Sequence, residues 1–273
     1  MSYIKTRIKE IREQKIGSTT KRALIVEGKD DVDAFESFLN KARPDWEKHW
    51  VIAEAGKKSN VLDIIDQASN WIGVVDRDEW SEEKITLHKH NRIHNNLWVL
   101  PRYCIENYLI VPEELWQALS VKQQGKVGEL ADLNQALKMD LIRWRCHGVL
   151  WSVINPLWEG LRGIGFKEAL LDPVIAINEA EIKQKLSEWH DFLEPDQIWQ
   201  QYQITLRDVE KSTEEQQFKL HFHGKLFYEQ VVHPLFNKLL GQKSAKDLQQ
   251  QIFITLPVPD DLEPLWKKME LVS

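Results

Sequence analysis

The sequence predicts an α/β protein, a parallel sheet flanked by helices and followed by a mainly helical C-terminal region. Four short apolar runs carry the first half of that reading: Ala23 to Val26, Trp50 to Ala53, Trp71 to Val75 and Leu97 to Leu100. They are continuous rather than alternating, as strands covered on both faces must be. Helical patterns separate the first three runs, which gives the crossovers that parallel strands need. Beyond Pro112 such runs end and helical periodicity takes over.

Each element follows from its own pattern. Ile4, Ile8 and Ile11 recur at helical spacing among Lys5, Arg7, Lys9, Arg12 and Lys15, so the chain opens with a basic amphipathic helix ending near Gly17. Val32, Phe35 and Leu39 mark a helix after the first run, and Val61, Leu62, Ile64 and Ile65 mark another after the second. In the second half, segments 113–120, 127–145, 178–193 and 225–240 carry helical periodicity, with breaks expected at Asp172-Pro173 and Glu194-Pro195. Phe218, Leu220 and Phe222 alternate with Lys219, His221 and His223, which predicts a short half-buried strand. The expected organisation is a helix at 1–17, an α/β domain at 18–112 and a helical domain at 113–273.

Composition narrows the function. The 273 residues are 42% hydrophobic and 29% charged, enough to bury a full core. No run approaches the roughly eighteen apolar residues of a membrane span and no apolar leader opens the chain, so a cytoplasmic protein without membrane contact is expected. Cys104 and Cys146 are too few for a disulfide framework or a cysteine-rich zinc site. The net charge of -6 argues against a general coat of positive charge for gripping duplex DNA. Twelve tryptophans suit either core or partner surface. There is no phosphate-loop motif, and Gly160, Gly163 and Gly165 have the wrong order for a dinucleotide fingerprint, so the chain is not expected to hydrolyse ATP itself.

The chemistry-bearing residues fall at strand ends, where open α/β sheets gather function. The first run leads into Glu27-Gly28-Lys29-Asp30-Asp31 and the third into Asp76-Arg77-Asp78-Glu79. If the chain stays extended, Asp76 and Asp78 face the same way. Clustered carboxylates repel one another unless a cation sits between them, and hard cations such as magnesium favour oxygen ligands. The plainer reading of Asp30 or Asp31 is a helix cap. Basic stretches could grip a polyanion: Lys84, Lys89, Arg92 and Arg102 lie in a segment without acids, joined by His88, His90 and His94, and Arg143-Trp-Arg-Cys-His sets Arg143 and Arg145 beside an aromatic. The same stretches also read as solvated faces. The three histidines lack a suitable fourth zinc ligand.

Leu24-Ile-Val-Glu-Gly-Lys-Asp-Asp, followed about fifty residues later by Gly73-Val-Val-Asp-Arg-Asp, resembles the TOPRIM domain of topoisomerases, primases and overcoming-lysogenization-defect nucleases. Leu100-Pro-Arg-Tyr-Cys-Ile-Glu-Asn-Tyr-Leu-Ile is similar to a phrase of a narrower TOPRIM group, the DUF4435 family, which includes nuclease effectors that work with ABC-type ATPases in anti-phage systems of the PARIS type. The resemblance covers residues 20 to 112 well and the helical half loosely. It implies metal-binding acids at Glu27, Asp31, Asp76, Asp78 and Glu106, with one or two magnesium ions, replaceable by manganese, clamping a phosphodiester. Glu106 also reads as a helix-start carboxylate. Glu27 or the metal-activated water would act as base. Lys225, in His223-Gly-Lys, matches a downstream family lysine and is the first candidate for the cation that meets developing charge, with Lys57 and Lys58 as alternatives. The expectation is a nuclease effector that cuts transfer RNA, or else DNA, beside an ABC-type ATPase, and that pairs as a homodimer when active. The alternative is a catalytically idle TOPRIM subunit that regulates its partner. A topoisomerase would need a strand-passage module, for which the chain has no room, and a primase zinc-ribbon cysteines, which it lacks.

Overall fold

The computed structural model describes residues 3–90, 95–167 and 178–271. Its centre is a four-stranded, all-parallel sheet in the order β2-β1-β3-β4, built from β1 (Arg22–Val26), β2 (Trp50–Glu54), β3 (Ile72–Val75) and β4 (Leu97–Val99). The fold class and all four strands are those the apolar runs predict. β1 pairs with β2 from Arg22↔Trp50 to Val26↔Glu54, and with β3 at Leu24↔Ile72 and Ile25↔Gly73. Strand order therefore reverses between β1 and β3, and the crevice beyond their carboxyl ends is the switch point at which such sheets bind ligands.

The helices explain how that edge is held. Helix α1 (Tyr3–Glu10) continues into a wider turn, Ile11–Ile16, and ends at Gly17, whose φ of 58° suits a residue without a side chain. Ile8, Ile11 and Ile16 enter the sheet core. Part of the helix's positive charge is spent on the edge strand: Lys15 Nζ donates to the Ile52 carbonyl at 2.9 Å, and Arg7 donates to the Glu54 carbonyl at 2.7 and 3.0 Å. These cations blunt an edge that would otherwise offer free carbonyls to another chain.

Helix α2 (Lys29–Ala42) buries Ala34, Phe35, Phe38 and Leu39, and α3 (Lys58–Gln67) buries Val61, Ile64 and Ile65. α3 lies so close to β3 that a Cβ on Gly73 would stand 2.8 Å from Val61 and 2.9 Å from Ile65. Helix α4 (Glu82–His90) precedes β4, and a 3-10 turn, Ile105–Tyr108, follows it.

The chain falls into two compact units. One comprises residues 1–139, 218–220 and 224–273, and the other 140–217 and 221–223. The units part at Met139, whereas the sequence changes its text at Pro112. In the first unit, helices α5 (Pro112–Ala118), α6 (Val121–Val127) and α7 (Leu130–Leu137) are joined by C-terminal helices that pack on α2: Phe38 meets Phe253 edge-on at 5.6 Å, and Phe35 meets Trp266 at 6.3 Å. The second unit pairs helix α8 (Leu141–Gly163) with Pro195–Lys211, and Glu179–Phe192 lies between them in sequence.

The strand expected at Phe218 to Phe222 is instead a helical turn, Gln217–His221, in which Phe222 N–H donates to the Gln217 carbonyl at 3.0 Å. Phe218 and Phe222, four residues apart, are both buried, whereas Leu220 is only half-buried. Over so few residues an i, i+4 pair mimics an alternating pattern. The break expected at Asp172-Pro173 lies outside the described residues, as do Arg92 and His94. Among the described residues no helix is long and apolar enough to cross a membrane.

Candidate active site

Glu27 stands one residue past β1, at the switch point. The backbone N–H of Asp76, one residue past β3, donates to Glu27 Oε1 at 2.9 Å, so the two neighbouring strand ends are stitched through a functional side chain. Asp31 is 8% exposed and accepts from the Gly28 N–H at 2.7 Å through Oδ2. It thus serves the start of α2, as the plainer reading expected, by closing a capping box from the third helical position with Gly28 as the cap residue. Glu106, also 8% exposed, comes from the 3-10 turn after β4.

Asp78 arrives by a different route from the one its spacing implied. β3 ends at Val75, and Asp78 adopts a left-handed conformation (φ 46°) rather than extended alternation. Aspartate tolerates that region better than most side chains. The turn is fixed from outside: Asp78 N–H donates to the Tyr103 carbonyl at 2.8 Å, and the Tyr103 hydroxyl donates to Glu79 Oε1 at 2.5 Å. Asp78 Oδ2 is met by Lys58 Nζ at 2.6 Å.

These acids act on one another through charge. Burial pushes the Asp31 carboxyl up to about 7, and the charges of Glu27, Glu106 and Asp30 push it the same way. Burial lifts Asp76 well above the usual carboxylate range, reinforced by Asp31, Glu27, Asp78 and Glu106. Glu27 is raised by burial against the pull of the Lys58 ammonium and of the Asp76 and Lys58 backbone amides. Glu106 is raised by burial, with the Cys104 thiol and Lys225 opposing. Buried carboxylates that raise one another must carry protons or share a cation.

The donor set is all hard oxygen, which suits magnesium or manganese. Asp76 Oδ1 is sealed from solvent and has no hydrogen-bond partner among the described residues. A buried orphan oxygen is costly unless something binds it, and in that respect the residues fit a divalent cation. Among the described residues no three such donors already stand in metal-holding geometry.

The remaining candidates are dispersed. Lys225 is exposed yet near enough to pull on Glu106. It follows Gly224, where any Cβ would collide with Asn107, so close packing positions the short helix Gly224–Phe227 that carries Lys225 against the Glu-Asn-Tyr turn. Lys57 is the exposed cap residue of α3, and Lys89 is exposed on α4. Arg102 is no surface contact: at 2% exposure it is consumed by Glu114 and Asp261. Arg143 and Arg145 belong to the second unit, where Arg143 pairs with Asp140 at 2.8 Å and Arg145 donates to Gln217 at 2.9 Å. Trp144 between them is buried at 4% exposure and offers no open stacking face.

Two residues in this site escaped sequence reasoning. Tyr103 fixes the Asp78 turn as described above. Trp80 stacks on His88 at 4.2 Å and lies under the Lys58 ammonium at 4.8 Å. An aromatic two residues past an Asp-x-Asp pair was the available signal. No protein-family model matches the chain and no curated protein matches its sequence.

Proposed function

We propose that the chain is a magnesium-dependent phosphodiester hydrolase of TOPRIM type, a nuclease effector of an ATPase-coupled anti-phage system that cuts transfer RNA by preference and DNA otherwise. The observation that carries the hydrolase reading is Asp76: a sealed, unpartnered carboxylate oxygen, at a strand switch point, raised by burial and by four other acids. Asp76, Asp31, Glu27 and Glu106 would hold the ion, with Asp78 beside them. When bound, such an ion supplies a positive centre that polarises the phosphate and sharpens water as a nucleophile.

The chain's own groups do the rest. Glu27, lifted by burial, is a better proton acceptor than an ordinary surface carboxylate and stands at the rim. Lys58 and Lys225 bring positive charge to opposite members of the acid group, Asp78 and Glu106. The ATPase partner, the transfer-RNA preference, the homodimer and the cytoplasmic setting rest on the resemblance of the three motifs.

One observation favours a second reading. The Lys58 ammonium already neutralises Asp78, as it would in an idle TOPRIM subunit kept only to regulate a partner. Incubating wild type and Glu27→Ala with total RNA and plasmid DNA, in magnesium or EDTA and with or without the neighbouring ATPase, tests both. Cutting that needs magnesium and Glu27 supports the hydrolase. Inactivity on both polymers with partner and trigger present, together with no measurable metal binding, supports the idle subunit.

A further inference from the structure

Phosphodiester hydrolases that use two cations set one on each side of the reacting phosphorus. The acid group here divides unevenly between two such positions. Asp31 and Glu106 are buried, Asp76 and Glu27 are half-buried, and Oδ1 of Asp76 is sealed with no hydrogen-bond partner among the described residues. Asp78 already has its cation, Lys58 Nζ at 2.6 Å.

That pair is built in from both sides. After β2 the chain turns at Gly56 (φ 89°), and the N–H groups of Ala55 and Gly56 donate to the carbonyls of Val26 and Glu27, each at 2.8 Å. The turn thereby ties the start of α3 to the end of β1, and the Lys58 backbone amide pulls on the Glu27 carboxylate. The ammonium lies over the Trp80 ring at 4.8 Å, and Asp78 is held by its own backbone bond to Tyr103. A lysine with only 18% of its side chain exposed, resting on an aromatic face and a fixed carboxylate, is unlike the mobile surface pairs that contribute little.

We infer that Lys58 is the second cation of this site. The chain binds a single divalent ion on the Asp76 side, and the Lys58 ammonium, resting on Asp78, fills the other position and meets the substrate's phosphate oxygens there. This deepens the hydrolase reading and rests on it. The division assigns Asp78 to Lys58 rather than to the metal. It also gives Lys58, rather than Lys225 or Lys57, the duty of meeting charge at the reacting phosphate.

Titrating the purified chain with manganese, followed by electron paramagnetic resonance, counts ions without substrate or partner. One ion per chain in wild type and two in Lys58→Met is the expected result. Two ions in wild type, or still one in Lys58→Met, overturns the role of Lys58 and leaves the metal site standing. No bound ion in wild type overturns the hydrolase reading beneath it. If Lys58→Met melts or fails to fold by circular dichroism, Asp78→Asn decides. Losing Lys58's partner should weaken the first ion by less than about threefold, against about a hundredfold for Asp76→Asn. Equal losses in the two variants overturn the assignment.

Discussion

Two clusters of buried charge lie in the same unit and follow opposite rules. Around Arg102 the acids are paired with a cation: the guanidinium makes paired bonds to Glu114 at 2.6 and 2.7 Å, one to Asp261 Oδ2 at 2.8 Å and one to the Asn107 carbonyl at 3.2 Å, and it lies 3.9 Å from the Tyr108 ring centroid, although Asp261 Oδ1 has no hydrogen-bond partner among the described residues. Burial would lower the guanidinium's pKa, but the Glu114 bond and the nearby charges raise it instead, so it stays a cation in the interior. At the switch point buried Asp31 and Glu106 stand with half-buried Glu27 and Asp76, with too little positive charge among them, and the acids push one another toward protonation. A fold does not gain stability from uncompensated burial of like charges. The balanced cluster is structure, tying the turn after β4 to α5 and to the C-terminal segment. The unbalanced one is where binding is prepared.

The comparison breaks most sharply at Arg102. Arg102→Met keeps the stem but leaves Glu114 and Asp261 facing a partner that has gone. Removing one member of a buried ion pair costs about 3–5 kcal/mol. Urea denaturation should show a loss of that size, with magnesium making no difference to the loss. A shift below about 1 kcal/mol, the size of an exposed pair, would mean that the cluster is not the strut its geometry describes.

The acid group should respond to pH in the opposite sense from ordinary paired carboxylates. Asp31 has an ordinary value of 3.8 and is pushed up to about 7 in the folded chain, so between those values the folded state holds a proton that the unfolded state has released. Stability from this group is fully present below the unfolded value and is lost as pH rises through about 7. Asp31→Asn retains a capping oxygen and removes the titration. Without divalent ions, wild type should lose roughly 2–4 kcal/mol relative to that variant between acid and neutral pH. Saturating magnesium should shrink the difference. Parallel stability curves for the two proteins would show that Asp31 titrates as an ordinary carboxylate.

How much of this contrast could be read from the sequence depends on the range of the interaction. The four strands were legible because burial on both faces forces continuous apolar runs, and Glu27, Asp31 and Asp76 because strand ends are local features. Arg102 was misread as part of a basic stretch because its partner Asp261 is 159 residues away, and nothing near Arg102 announces burial. The extended alternation expected of Asp78 does not form, since its left-handed turn is held by the Tyr103 carbonyl from beyond β4. The basic face of α1 likewise hid its use, because the free carbonyls of β2 appear only once the sheet is assembled.

Asp76 tests the other side of the comparison. Asp76→Asn replaces a carboxyl whose ionisation its surroundings oppose with a neutral amide that can donate to the neighbouring acids. In EDTA at neutral pH the variant should be more stable than wild type by about 1–2 kcal/mol, while manganese binding is lost. Stabilisation together with lost binding is the signature of a functional residue that the fold carries at a cost. Destabilisation in EDTA would instead make Asp76 a structural acid.

The smallest effect is expected at Tyr103, which borders both clusters: its neighbour Arg102 anchors one, and its carbonyl and hydroxyl hold the Asp78–Glu79 turn of the other. Tyr103→Phe removes only the hydroxyl that donates to Glu79 and should cost about 1 kcal/mol of stability. If the turn's position matters to the site, manganese affinity should fall about tenfold as well, the size seen when an outer partner of a metal ligand is lost. A stability loss with unchanged affinity would assign Tyr103 to the strut alone. A loss of affinity with little change in stability would show that the acid group depends on being held in place by the balanced cluster beside it.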